Sequence, residues 1–196
     1  MADENPKRIE LNSPEARFMF VHLDKPRKVD PNNPNEEEKY QLTLCFDPEA
    51  QKTKQFKAMK KAVEKMVAAK WGDNPPKKIR KPFLTADDLD KVPNGMGEDD
   101  VIVRLSSTAK PEVVDHNVEE ILDRSKVYSG CYGIVNMQCY AWKHPTGGAG
   151  VSFGLGPVQK VRDGEPLGGR AKPAKDAFEA LEDEDDDLDD DDDDLI

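Results

Sequence analysis

The sequence predicts a mainly β chain with one inserted helix and a disordered acidic tail. Three observations predict it. Residues 17–23, 40–46, 101–107 and 127–161 carry the short apolar runs, several of them alternating, that strands impose with their period of two. Only residues 48–70 carry apolar side chains at helical spacing. Residues 176–196 hold fourteen acidic residues and no basic ones, a composition that buries no core. Strands, one helix between early strands and a last hairpin with a small-residue inner face fit a small Greek-key barrel of the OB-fold type. The body then runs over 1–168, and a linker with the acidic tail over 169–196.

The elements follow in order. Residues 1–14 read as a polar arm. RFMFVHL (17–23) reads as a strand with Met19, Val21 and Leu23 on one face and Phe18, Phe20 and His22 on the other. Residues 24–38 hold too many Pro and Asn turn formers to pair in a sheet. YQLTLCF (40–46) alternates Tyr40, Leu42, Leu44 and Phe46 against Gln41, Thr43 and Cys45. Asp47 and Pro48 start a helix as N-cap and first-turn residue. Phe56, Met59, Val63 and Met66 define its buried face to about Lys70, and Gly72 with Pro75 and Pro76 ends it. Residues 84–100 read as a loop with one short turn, and VIVRLSS (101–107) as a strand. Residues 111–126 favour a hairpin turning at His116 and Asn117, with a helix at 117–124 as the alternative. No internal repeat is present.

The stretch 127–161 organises the rest. Val127, Cys131, Val135, Met137, Cys139 and Ala141 share one strand face, while Tyr128, Tyr132, Asn136, Gln138, Tyr140 and Trp142 share the other. The small face suits the inside of a tight barrel. The second face suits stacking on unpaired bases, and equally suits a buried aromatic layer or cross-strand pairing. A Gly-rich turn leads to a second strand, and residues 161–169 form a turn-rich exit.

Composition excludes several classes. No apolar run approaches the ~20 residues of a membrane span, and the N-terminus carries no signal-like apolar segment. Cys45, Cys131 and Cys139 are odd in number and form no CxxC, as expected of free thiols in a reducing compartment. The glycines at 147–156 lack the GK[ST] of a phosphate loop. His22, His116 and His144 have no zinc-ligand spacing. No nucleophile has a base beside it, so neither catalysis nor a cofactor is expected. The aspartate run at 183–194 lacks the ordering glycine of a calcium loop.

Charge is divided along the chain. The net charge is −11, but 40 acidic residues less the tail's 14 leave 26 against 29 basic, or +3 for residues 1–175. Residues 52–81 hold eleven basic and two acidic side chains. This basic run includes Lys57, Lys60, Lys61, Lys77, Lys78, Arg80 and Lys81, with Arg17, Lys25, Arg27, Lys28, Arg104 and Lys143 elsewhere. A groove of cations interleaved with aromatics is what binds single strands; a lysine-rich helix also serves as plain solvated surface. The candidate binding set is Tyr128, Tyr132, Tyr140, Trp142, Lys57, Lys60, Lys61, Lys77, Lys78, Arg80, Lys81, Arg104 and Lys143. In a competing reading the acidic tail is the active surface, as in a DNA mimic or a chaperone of basic partners, and the aromatics are core.

The runs VYSGCYGIVNMQCYAW and GVSFGLGPVQKVRDGEPLGG, with the Gly-rich turn between them, resemble the C-terminal half of a family of tailed-phage single-stranded DNA-binding proteins. ARFMFVHLDKP and the strand-to-lysine-helix segment at 40–70 also resemble it, so the resemblance spans about residues 10–170. It implies an OB-fold, sequence-nonspecific binding of single-stranded DNA, no catalysis, and a role in phage DNA replication or recombination in the bacterial host cytoplasm. It leaves a homodimer open. Replicative single-strand binders also carry acidic tails tipped by apolar residues. By that likeness Asp191, Asp192, Asp193, Asp194, Leu195 and Ile196 are expected to bind replication or recombination proteins.

Overall fold

The computed structural model describes residues 6–168, except 29, 31, 146 and 147. The tail and its linker, with Asp191, Asp192, Asp193, Asp194, Leu195 and Ile196, lie outside the described residues. Nine strands share one sheet: β1 (Ile9–Asn12), β2 (Ala16–Arg27), β3 (Lys39–Phe46), β4 (Ile79–Arg80), β5 (Phe83–Leu84), β6 (Val101–Ser107), β7 (Val113–Val114), β8 (Tyr132–Lys143) and β9 (Ala149–Arg162). Two helices, α1 (Pro48–Lys52) and α2 (Lys54–Trp71), fall between β3 and β4.

Five strands close a ring. β2 pairs with β3, β3 with β6, β6 with β9, β9 with β8, and β8 returns to β2. All contacts are antiparallel except β6 with β9, where Leu105 lies beside Phe153 in parallel register. That order is an OB-type Greek-key barrel with the helix inserted between its second and third strands. β8 alternates as expected: Val135, Met137, Cys139 and Ala141 are buried, and Asn136, Gln138, Tyr140 and Trp142 are only partly so. The strand starts at Tyr132 rather than 127, because the chain bends at 128–131, although Val127 and Cys131 still reach the core.

The helical segment breaks at Thr53. Asp47 caps α1 by accepting from the Ala50 amide, and Thr53 caps α2 by accepting from Phe56. Phe56, Met59, Val63 and Met66 are all buried and plug one end of the barrel. The Phe56 ring stands edge-on to Phe46 at 5.1 Å and lies 5.5 Å from Phe83, which reaches Phe153 at 6.1 Å. Leu23, Val113, Ile121, Val127 and Val158 also lie in the core. Val113 lies beside Val158, five residues beyond Phe153 and so about 16 Å further along β9.

Three expectations need correction. The arm at 1–14 contains β1, whose Ile9 and Leu11 pack on the core opposite Cys139 and Met137. The loop expected from residue 24 starts later, since β2 runs to Arg27 and pairs it with Lys39. The alternation in 17–23 fails: Phe18 and Met19 are both buried and Phe20 is 53% exposed. Met19 pairs with Thr43 but His22 with Gln41, so one extra residue is bulged out, and Phe20 takes a left-handed φ of +48°. In 111–126 the favoured hairpin is present: the chain turns at 115–118, with Val114 bridged to Glu120, and the alternative helix at 117–124 does not form. β4 and β5, two residues each, carried no alternation to read.

All three cysteines are free and buried. Burial pushes the Cys139 thiol up to about 12, and burial with Asp100 does the same for Cys45. The ring closes at Gly133, opposite Ala16. A Cβ at Gly133 would lie 2.3 Å from the Gln159 carbonyl oxygen and 2.4 Å from the Phe18 ring. Gly133→Ala therefore forces β8 away from β9 or Phe18 out of place. It is expected to cost about 1–3 kcal/mol, read as a Tm several degrees lower in a thermal melt; an unchanged Tm contradicts this account of closure.

Candidate nucleic-acid interface

The bulge in β2 creates a groove. Left-handed backbone is an outlier for a bulky residue, and bulges commonly re-aim a side chain. Here the result is an aromatic ring turned outward where the alternation would bury it. The groove beside it has a volume of about 480 Å³ and is lined by Phe20, His22, Arg27, Lys28, Thr43 and Arg104 among others. None of its lining residues is acidic. Arg27 Nη1 lies 2.9 Å from His22 Nε2. Partial burial, then Arg27, holds the His22 imidazole below its ordinary pKa, so it stays neutral and accepts from the guanidinium. Gln41 Nε2 donates to the Arg27 carbonyl at 2.9 Å. Lys28 Nζ donates to the carbonyls of Asn33 and Pro34. The three cations are thus grouped around one exposed ring.

The outer wall continues from this groove. Thr43 pairs with Arg104 and Gln41 with Ser106 across β3 and β6. Ser106 lies beside Gly154 on β9, and Gly154 beside Gln138 on β8. Three inter-strand steps separate Gln41 from Gln138, about 14 Å along the wall. Tyr140 is opposite Ser152, with the Arg8 guanidinium 5.3 Å from its ring. Trp142 is opposite Gly150, and Gly150 is opposite Arg80 of β4. The Trp142 ring lies over Gly150, where a Cβ would come within 2.6 Å of it, and its Nε1 donates to Ser152 Oγ at 3.0 Å. Lys143 is exposed at the end of β8, and Lys77, Lys78 and Lys81 are exposed around β4.

The structure therefore brings Arg80, Tyr140, Trp142 and Lys143 together and sets Arg104 in the groove. Tyr128 and Tyr132 lie elsewhere and are already engaged. Tyr128 Oη donates to the Gly164 carbonyl at 2.9 Å and lies 3.1 Å from Asp163. The Arg162 guanidinium lies 3.6 Å from the centre of the Tyr132 ring and Arg17 lies 6.0 Å from it. Lys57, Lys60 and Lys61 are exposed on α2, at the plugged end of the barrel, with Lys60 over the Phe56 ring at 5.3 Å. Sequence reasoning missed Phe20 and His22, because no local pattern marks the bulge. It noted Arg27 and Lys28 only as scattered cations. Among the described residues no cluster of His, Cys, Asp or Glu could hold a metal, and no helix is long and apolar enough to cross a membrane.

Residues 8–189 match the family described as Enterobacter phage Enc34, ssDNA-binding protein. The chain belongs to this family. A protein designated p50 of Acyrthosiphon pisum secondary endosymbiont phage 1 is 25% identical over 182 residues, covering 89% of this chain and 94% of its own. Among solved structures, the single-stranded DNA-binding protein of bacteriophage Enc34 in complex with ssDNA aligns with a TM-score of 0.64 at 20% identity, over 81% of this chain and 89% of that one. Gp2.5 of bacteriophage T7, a single-stranded DNA-binding protein, aligns with a TM-score of 0.59 at 16% identity, over 88% and 96%. At these identities the structural matches establish the fold that this chain shares with phage single-strand binders.

Proposed function

We propose that the body binds single-stranded DNA without sequence preference, in phage DNA replication or recombination, with the strand crossing the outer wall from the Phe20 groove towards Tyr140 and Trp142. The observation that carries this reading is the groove itself: an outward-turned aromatic among three cations and no carboxylate. Phe20, Tyr140 and Trp142 stack on bases. Arg27, Lys28 and Arg104 take phosphates at one end, and Arg80, Lys81 and Lys143, flanked by Lys77 and Lys78, at the other. Tyr128 and Tyr132 hold the exit from β9 in place. Family membership and the folds of the phage relatives support the ligand class. Phe20→Ala is expected to weaken oligo-dT binding about 5- to 150-fold, the effect of losing one stack worth ~1–3 kcal/mol. Arg104→Ala is expected to flatten the log–log salt dependence by about 0.7. Unchanged affinity and slope in a fluorescence titration of both variants would move the site off this wall.

In the same reading the tail competes with DNA for the wall and, once displaced, offers Leu195 and Ile196 to replication partners. Gly168, the last described residue, lines one small cleft with Met19, Phe20, Ser129 and Leu167, so the described chain ends beside the groove. A tether there keeps fourteen carboxylates at an effective concentration on the order of millimolar. A chain ending at Lys175 is expected to bind oligo-dT more tightly than the full chain at about 50 mM salt, where screening is weaker than at 0.1 M. It is also expected to begin binding duplex. Equal affinities of the two chains would leave the tail a solubilising role only.

A further inference from the structure

The two ends of the barrel carry opposite unpaired charge. At the plugged end α2 turns Lys54, Lys57, Lys61 and Lys65 outward, spaced three and four residues apart, on the side away from Phe56, Met59, Val63 and Met66. Exposed Ala58 and Ala68 lie along the same stripe. None of these four lysines makes an ion pair among the described residues. Lysines three and four apart repel one another and weaken a helix; Glu64, three residues after Lys61, is the one acidic side chain on α2, so most of the repulsion is relieved only when something anionic meets the stripe.

The hairpin that follows β7 stands further along β9 and has the complementary character. Val118 is 70% exposed and Leu122 80% exposed. Val118 holds a φ of +66°, an unfavourable conformation for a β-branched residue. Glu112, Glu119 and Glu120 are exposed around them and make no ion pair among the described residues; Glu119 and Glu120 share a cleft with Lys126, Lys160 and Arg162, of which Lys160 pairs with Asp163 and Arg162 with Glu15. The tip is braced from within. Asp115 Oδ1 accepts from the Asn117 and Glu119 amides, and Asp123 Oδ1 accepts from Ser125. Two apolar side chains are thereby presented on a fixed turn with carboxylates beside them.

We propose that the hairpin of one copy docks on the α2 stripe of a second copy. Glu119 and Glu120 meet the lysines, while Val118 and Leu122 pack on Ala58, Ala68 and the lysine methylenes, which readily cover apolar surface. The two surfaces differ and sit on different parts of the barrel. The contact is therefore heterologous and repeats into an open row rather than closing as a two-fold dimer. Exposed ion pairs are individually weak, so the row is salt-sensitive and loose in free solution. It tightens when neighbouring copies are held close together.

Sedimentation velocity of the full chain at low salt reads this without any DNA. Wild type is expected to show a sedimentation coefficient that rises with concentration, and high salt is expected to remove the rise. Lys57→Glu with Lys61→Glu is expected to abolish it, as is Glu119→Lys with Glu120→Lys; all four side chains are exposed, so neither variant should melt well below wild type, and the α2 variant, relieved of lysine repulsion, melts at or slightly above it. Mixed in equal amounts the two variants are expected to regain association, because each then finds a complementary end on the other. A mixture that stays monomeric overturns the proposal. So does a wild type that associates only once cut at Lys175, which gives the stripe to the tail. A flattened salt dependence of the α2 variant on an oligonucleotide long enough for one copy gives the stripe to phosphates and overturns it as well.

Discussion

Everything on the outer wall depends on one close approach, that of β8 to both β2 and β9 at Gly133. The β2–β8 contact is only two residues long, Ala16 beside Gly133 and Arg17 beside Tyr132. It holds because the chain around it is stapled. Phe18 donates its amide to the Cys131 carbonyl and accepts from the Gly130 amide, both at 2.8 Å. Ser13, buried between β1 and β2, donates its amide to the Val135 carbonyl and accepts from the Val135 amide on its hydroxyl. The Phe18 ring lies fully buried beneath the junction. With the ring closed, long sheet edges disappear, and among the described residues the strands left with a single neighbour are the short β1, β4, β5 and β7.

A closed barrel fixes which residues face out, so an outward aromatic on β2 needs a break in register. The bulge at Phe20 supplies it. The residues on either side show how the break is contained. Met19 stays in a small second cluster with Cys45 and Ile102, onto which Leu167 of the exit segment packs. Val21 has its amide satisfied by Ser129 Oγ at 3.2 Å. The strained residue is thus held from the core side by apolar packing and along the backbone by a hydrogen bond. Its ring projects among Arg27, Lys28 and Arg104. Strain maintained against such support is characteristic of a functional position.

Periodicity made legible those elements whose two faces differ. β8 and the buried face of α2 could be read residue by residue, because small or apolar positions alternate with polar ones over more than ten residues. β6 was legible from a short β-branched run, and the OB-type closure from the order of these pieces. β1, β4 and β5 were not legible: two to four residues carry too little pattern, and pairing with β8, β9 and β6 is what makes them strands. The aromatic face of β8 could be read as a set, but not the different fates of its members. Tyr132 is covered by Arg162, thirty residues later in the chain, and Trp142 is laid on Gly150 by the turn between β8 and β9. The Phe20 groove joins β2, β3 and β6, so neither its cations nor its ring carry a local signature.

The division of charge gives the fold its last constraint. Net charge describes this chain poorly because its charges are sorted by place. The groove wall holds Arg27, Lys28 and Arg104 with no acid, the α2 stripe is lysine-rich with Glu64 at its edge, and the hairpin after β7 exposes Glu119 and Glu120 beside a cleft they share with Lys126, Lys160 and Arg162. At physiological salt the screening length is about 8 Å. The helix-plugged end and the hairpin end are separated by about 16 Å of β9, roughly two screening lengths. The two ends therefore hardly sense one another. That independence is what allows one small barrel to present two oppositely charged ends at once.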